Sequence, residues 1–205
     1  MTRLGFLIAR TLRHEAPLAA LSVPFSDLLA ELAGKSVALV GNARSLSGQG
    51  YGAQIDAADL VIRINRAPMP SPASHGTRTD WLALATALGP ADRARLHPHR
   101  FLWMSPKRKR LRFDIATSPG FYLHPQAEIA ALGARLPAPP TTGLMMIDML
   151  ARSEVSVLRL FGFDFFASLS LSGRRSAEQV PHDFNAEAAH VAALMQRDSR
   201  ITRAE

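Results

Sequence analysis

The sequence predicts an α/β fold: a single domain with a mostly parallel sheet flanked by helices. Three observations predict it. Short apolar, β-branched runs recur along the chain at SVALVG, LVIRIN, DWLALAT, RFLWMS and VSVLRLFGF, and helical or turn-rich stretches separate them. Strands that alternate with helices pair in parallel through crossover connections. A chain of 205 residues that is 47% hydrophobic can bury one good-sized core, and two full domains would be cramped.

Taken in order, residues 1–33 read as an N-terminal helical segment of one or two amphipathic helices. The apolar run from Leu4 to Ala9 is too short for a signal-peptide core or a bilayer span. A packing or docking helix is the first reading and a membrane-surface anchor the second. SDLLAELAGK offers Ser26 as an N-cap and Gly34 as a stop. Residues 34–205 then form the main domain. Within it, APMPSPASHG and RLPAPPTTG read as loops, because another element follows each quickly. No later window is long and apolar enough to span a bilayer, so a soluble protein is expected.

Composition narrows the chemistry. The chain has no cysteine, which excludes disulfides, thiolate metal sites and a cysteine nucleophile, and fits a reducing compartment. A formal charge of +7 favours anionic partners such as phosphate-bearing ligands, acidic glycans, nucleic acid or a membrane surface.

The chemistry-bearing residues gather at strand ends. In an open α/β sheet, ligands sit beyond the carboxyl ends of the strands, where glycine lets backbone approach closely and helix N-termini offer N–H groups to phosphate. VALVGN places Gly41 and Asn42 at such an end, followed by Ser45 and the glycines of SLSGQGYG. The spacing lacks the usual dinucleotide fingerprint, and a tight turn alone would explain it. Asn65 closes LVIRIN in the same way, either as a ligand contact or as a turn residue. An amide of this kind can donate to phosphate or ribose and accept from a hydroxyl. Further along, PPTTG opens the candidate helix TGLMMIDMLAR, so Thr141, Thr142 and Gly143 either meet an anion or merely cap the helix. His182 precedes another helix, in which Phe184, Ala188, Val191 and Met195 share an apolar face and Asp183 or Asn185 supplies the cap. His190, farther along that helix, reads as a surface residue.

Three of these stretches occur in a telling order. G-N-A-x-x-L-x-G-x-G-Y-G-x-x-I-D with D-L-V-I-R-I-N-R-A-P and G-T-R-T-D resembles the large motif of the eukaryotic-type sialyltransferase family. P-P-T-T-G-L-M-M-I-D-M-L with L-F-G-F-D, which contains Gly162, resembles its small motif. H-D-F-N-A-E resembles its very short motif. The resemblance implies a Rossmann-like, GT-A-related domain that moves sialic acid from CMP-sialic acid to a glycan hydroxyl with inversion and without a metal. No D-x-D occurs in the chain, in keeping with that implication. It also implies donor contacts at Gly41, Asn42, Ser45, Asn65, Thr141, Thr142, Gly143 and Gly162. His182 would be the general base, since imidazole suits proton removal near neutrality, and Glu187 would orient His182 or the helix start. A glutamate in a first helical turn also matches the helix dipole.

The sequence departs from the family in two places. Val37 and Val155 stand where the family's bridging cysteines would fall. The family's third motif has no match in FFASLSLSGRRSAEQVP, where Arg174 and Arg175 are the cations on offer for the departing phosphate. The expected partners are therefore a nucleotide-sugar donor, CMP-sialic acid or CMP-Kdo, and a glycan or glycolipid acceptor, with no cofactor beyond the donor and no nucleic acid. Lys107 to Arg112 holds five cations in six residues and reads as a solvated face, or else as a peripheral membrane contact. A cytoplasmic placement, peripheral to the inner membrane, is the expectation. A non-catalytic CMP-binding module and a basic interaction protein are the alternatives.

Overall fold

A computed structural model describes residues 1–165, 170–171 and 179–204. Seven strands form one sheet: β1 (Ser36–Val40), β2 (Leu60–Ile64), β3 (Trp81–Leu84), β4 (Arg100–Trp103), β5 (Tyr122–Leu123), β6 (Val157–Phe161) and β7 (Ile201–Arg203). Their order is β5-β4-β3-β2-β1-β6-β7, and all the strand pairings are parallel. The five apolar runs of the sequence are β1, β2, β3, β4 and β6. The other two strands, of two and three residues, are too short to show a period.

The helices are α1 (Arg3–Leu12), α2 (Glu15–Ala19), α3 (Phe25–Leu32), α4 (Gly52–Asp56), α5 (Pro72–His75), α6 (Pro90–Leu96), α7 (Phe113–Ala116), α8 (Gln126–Gly133), α9 (Thr142–Ala151) and α10 (Phe184–Arg197). Two details correct the sequence reading. α3 starts one residue before Ser26, with Pro24 at its N-cap, because proline's fixed φ presets the approach to a helix. APMPSPASHG contains the short α5, started by Ser71 capping the Ala73 N–H. Gly34 ends α3 as expected, at φ +71.

Alternation along β1 assigns the faces. Val37 and Leu39 pack in the cluster that includes Leu28 and Leu32 of α3 and most of α9, whereas Ala38 and Val40 pack with Leu46, Ile55 and Phe161 on the other side. Val155 joins Val37 in the first cluster, so an apolar pair fills the place where the family resemblance put a bridge.

G-T-R-T-D turns out to be a structural bolt. Arg63 points from β2 into the interior, where its guanidinium donates to the carbonyls of Arg78 and His75 and to Thr79 Oγ1. Burial lowers its pKa to about 10. Asp56 accepts from the N–H groups of Thr77 and Arg78, and Arg78 donates back to the carbonyls of Asp56 and Ala58. Buried polar groups of this kind must find partners, and here each motif residue satisfies another.

The basic run is also split by the fold. Lys107, Lys109, Arg110 and Arg112 are exposed, but Arg108 is 2% exposed, so the run is not one solvated face. Arg108 turns inward to pair with Glu15 and to donate to the carbonyls of Ser105 and His124. A buried guanidinium needs this full set of acceptors.

Candidate active site

The chain lays β1 to β5 outward in one direction and β6 and β7 in the other, so strand order reverses between β1 and β6. In open α/β sheets ligands bind beyond the carboxyl ends of the strands at such a reversal. A cavity of about 410 Å³ lies there, lined by Ser45, Leu46, Gln49, Tyr51, Gly162, Phe163, Asp164, Arg203 and Ala204. Ser45 Oγ donates to Asp164 across it at 2.8 Å. Ser45 and Gly162 are thus the predicted site residues that line this cavity; Asn42, Asn65, Thr141, Thr142, Gly143 and His182 lie outside its lining.

Contacts nevertheless tie those residues to the same edge. A Cβ on Gly41 would stand 2.3 Å from the Gly162 carbonyl oxygen, so the glycine admits a neighbouring loop rather than a ligand. Asn42 Nδ2 donates to the Ile64 carbonyl at 3.1 Å, joining the ends of β1 and β2. Asn65 sits at φ 55, a left-handed conformation that asparagine tolerates, and its Oδ1 accepts from the Ala85 N–H at 2.9 Å. Each amide therefore spends one end on the fold. What remains for a ligand is an acceptor, Asn42 Oδ1, and a donor, Asn65 Nδ2.

α9 opens against the same group of loops. A Cβ on Gly143 would meet Phe163 Cε1 at 2.8 Å and Ile64 Cδ1 at 3.7 Å, so this helix start packs between the ends of β2 and β6. Thr141 is its N-cap, with Oγ1 accepting from the Leu144 N–H at 3.1 Å. The same hydroxyl donates to Glu187 at 2.7 Å, and the Thr141 N–H donates to the other carboxylate oxygen at 2.7 Å. Thr141 is thus fully committed. The N–H groups of Thr142 and Gly143 have no protein partner among the described residues, which leaves two donors at a helix N-terminus.

Glu187, 3% exposed, belongs to the first turn of α10 yet holds the start of α9. Burial pushes its carboxyl up from the ordinary value, while the two Thr141 donors and the His182 charge partly offset this. It makes no hydrogen bond to His182. That residue is positioned instead by the preceding loop: Nδ1 lies 2.7 Å from the Pro139 carbonyl oxygen. A carbonyl only accepts, so Nδ1 carries a proton, and in the neutral ring Nε2 carries the lone pair. Asp183 caps α10 by accepting from the Ala186 N–H.

Sequence reasoning missed Arg203, which brings a cation to the cavity from β7, a strand too short to signal itself. His190 is half-buried rather than a surface residue; its Nε2 is buried, without a partner among the described residues, and burial lowers its pKa. Arg174 and Arg175 lie outside the described residues.

The cavity at the strand-order reversal and, outside its lining, the Asn42 and Asn65 amides and the start of α9 thus share the carboxyl edge of the sheet. Residues 19–108 match the model of Glycosyltransferase family 29 (sialyltransferase), which bears out the resemblance seen in the large motif. The small and very short motifs lie beyond that stretch. A crystal structure of a mammalian sialyltransferase is similar at 18% identity with a TM-score of 0.59, covering 89% of this chain and 79% of that one. A mammalian sialyltransferase in complex with Gal-β-1-3GalNAc-ortho-nitrophenol gives 17% identity, TM-score 0.58 and coverage of 88% and 78%. Sialyltransferase CstII from Campylobacter jejuni in complex with the substrate analogue CMP-3FNeuAc gives 12%, 0.57, 82% and 81%. At these identities the structures show the shared fold. No curated protein matches.

Proposed function

We propose that this protein is a glycosyltransferase that moves sialic acid from CMP-sialic acid to a glycan hydroxyl with inversion, with His182 as general base. The observation that carries the reading is the Pro139 hydrogen bond, which leaves His182 Nε2 able to take a proton at the opening of α10. In the reaction, the acceptor hydroxyl oxygen attacks the anomeric carbon as the bond to the CMP phosphate breaks. Its proton passes to Nε2, and CMP leaves as the anion. The N–H groups of Thr142 and Gly143, Asn65 Nδ2 and the Arg203 guanidinium are the donors available to the phosphate or to the sugar carboxylate. Asn42 Oδ1 is suited to accept from a ribose or base group. Gly41 and Glu187 serve by shaping: one lets β1 and β6 loops meet, the other fixes α9 to α10. CMP-Kdo carries an acidic 2-keto sugar on the same nucleotide and would meet the same donors.

CMP release from CMP-sialic acid and from CMP-Kdo, with and without a panel of glycan acceptors, tests the proposal. Acceptor-dependent release with one donor supports it and chooses the donor. CMP binding by calorimetry with no release for either donor would make the chain a binding module. Undiminished release by His182→Ala would remove the base assignment.

A further inference from the structure

Six large apolar side chains are exposed among the described residues, and five of them lie at the N-terminus: Met1, Leu4, Leu7, Ile8 and Leu12. Leu4, Ile8 and Leu12 recur every fourth residue and Leu7 falls three after Leu4, so one arc of α1 carries them. They are 68%, 50%, 59% and 37% exposed in that order. The opposite arc is occupied, with Phe6 and Ala9 buried. α1 therefore has two apolar faces, and only one is used by the core.

The helix cannot easily turn to bury the second. Arg10 donates to the Leu111 carbonyl at 2.9 Å, and Phe6 packs edge-on to Phe113 with ring centroids 5.4 Å apart. Both contacts fasten α1 to the basic run. Lys107, Lys109 and Arg110 are exposed beside it and form no ion pair among the described residues, and exposed Arg3 and Arg13 lie near the helix ends. Nearby carboxylates are spent: Glu15 pairs with Arg108, and Asp114 pairs with Arg93 and Arg112. The exposed apolar arc and the unpaired cations stand on two segments that pack together, and the pair matches a surface that is oily inside and anionic outside. A protein partner would call for acceptors in matched positions, whereas flexible lysine and arginine heads suit a laterally mobile layer of phosphates.

We propose that α1 and residues 107–112 dock this protein on an anionic phospholipid bilayer, with Leu4, Leu7, Ile8 and Leu12 inserted at the acyl boundary and Lys107, Lys109 and Arg110 on the headgroups. Residues 107–112 follow the carboxyl end of β4, so the docking surface lies on the same edge of the sheet as the candidate site. Membrane binding needs no donor or acceptor, so this inference stands or falls apart from the transfer reaction.

Co-sedimentation of the full chain with phosphatidylcholine vesicles, with and without about one-third phosphatidylglycerol, tests it. Binding to the anionic vesicles is expected, weaker on neutral ones and falling with salt. Leu4→Glu with Ile8→Glu should lower the bound-to-free ratio at least about tenfold, since both apolar side chains leave the acyl boundary. Lys109→Glu with Arg110→Glu should lower it by about fivefold per cation lost. All four positions are exposed, and unchanged circular dichroism and melting would confirm that the variants fold. No binding at low salt, or binding that neither variant weakens, overturns the proposal. A concentration-dependent dimer that Ile8→Glu dissolves, without vesicle binding, would assign the arc to a second copy instead.

Discussion

His182 illustrates how little the protein needs to change to place a proton. One carbonyl, that of Pro139, decides which ring nitrogen is basic. Under the proposed mechanism, His182→Ala should lower kcat by about 10²–10⁴-fold while leaving the KM for the CMP-sugar within a few-fold, the pattern of a group that acts only in proton transfer. Initial rates of CMP release check this. Glu187 makes a different prediction. Burial raises its folded pKa above 4.5, so the folded state keeps this proton to a higher pH than the unfolded chain does. Below 4.5 both states are protonated and nothing is gained or lost; as pH rises from there through the folded value, ionisation in the buried site costs stability. Chemical denaturation across that range should show Glu187→Gln flattening the decline, with Gln Oε1 still accepting from the Thr141 N–H.

At the scale of elements, the glycines of the first βα loop divide by what surrounds them. A Cβ on Gly41 meets the Gly162 carbonyl at 2.3 Å and one on Gly52 meets the Pro72 carbonyl at 1.8 Å, whereas Gly48 and Gly50 face open space. Backbone cannot retreat as a side-chain tip can. Gly41→Ala and Gly52→Ala should therefore each destabilise by about 1–3 kcal/mol, and Gly41→Ala should also weaken CMP binding by parting the β1 and β6 loops. Gly48→Ala and Gly50→Ala should melt within about 0.5 kcal/mol of the parent. Calorimetric melts of the four variants decide the matter. The sequence showed a glycine-rich loop but could not rank its members, because the ranking depends on loops elsewhere in the chain, at Gly162 for Gly41 and at Pro72 for Gly52. The same holds for Thr141, whose role as a cap was legible while its bond to Glu187 was not. Strands announced themselves where an apolar run was long enough, as in β1 and β2, and β5 and β7 stayed hidden for want of length. Arg63 and Arg108 reverse the usual rule that arginine is exposed, and only the fold supplies the carbonyls that let them be buried.

For the whole molecule, acid sensitivity between pH 6.5 and about 4 should draw on the imidazoles that burial lowers, His75, His190 and above all His124, which burial and then the Arg152 charge push down to about 4. Its neighbours explain why it stays neutral: the Arg108 guanidinium donates to its backbone carbonyl, and Tyr122 Oη reaches its Nδ1 only weakly, at 3.5 Å. The folded pKa lies below the unfolded value of 6.5, so the unfolded chain binds this proton first as pH falls. The contribution is fully present above 6.5 and is lost as pH falls to about 4. A shift of this size corresponds to about 3 kcal/mol at most, a large part of a typical domain's 5–15 kcal/mol. Paired carboxylates such as Asp56 and Glu31, held low because their donors outweigh burial, add their losses at lower pH still. His124→Phe keeps a ring of similar shape and gives up only the long Tyr122 contact. Urea midpoints measured from pH 6.5 to 4 should then fall less steeply for the variant than for the parent. Equal slopes would mean that the imidazole already carries its proton in the fold, and that Arg152 and Arg108 tolerate a third cation beside them.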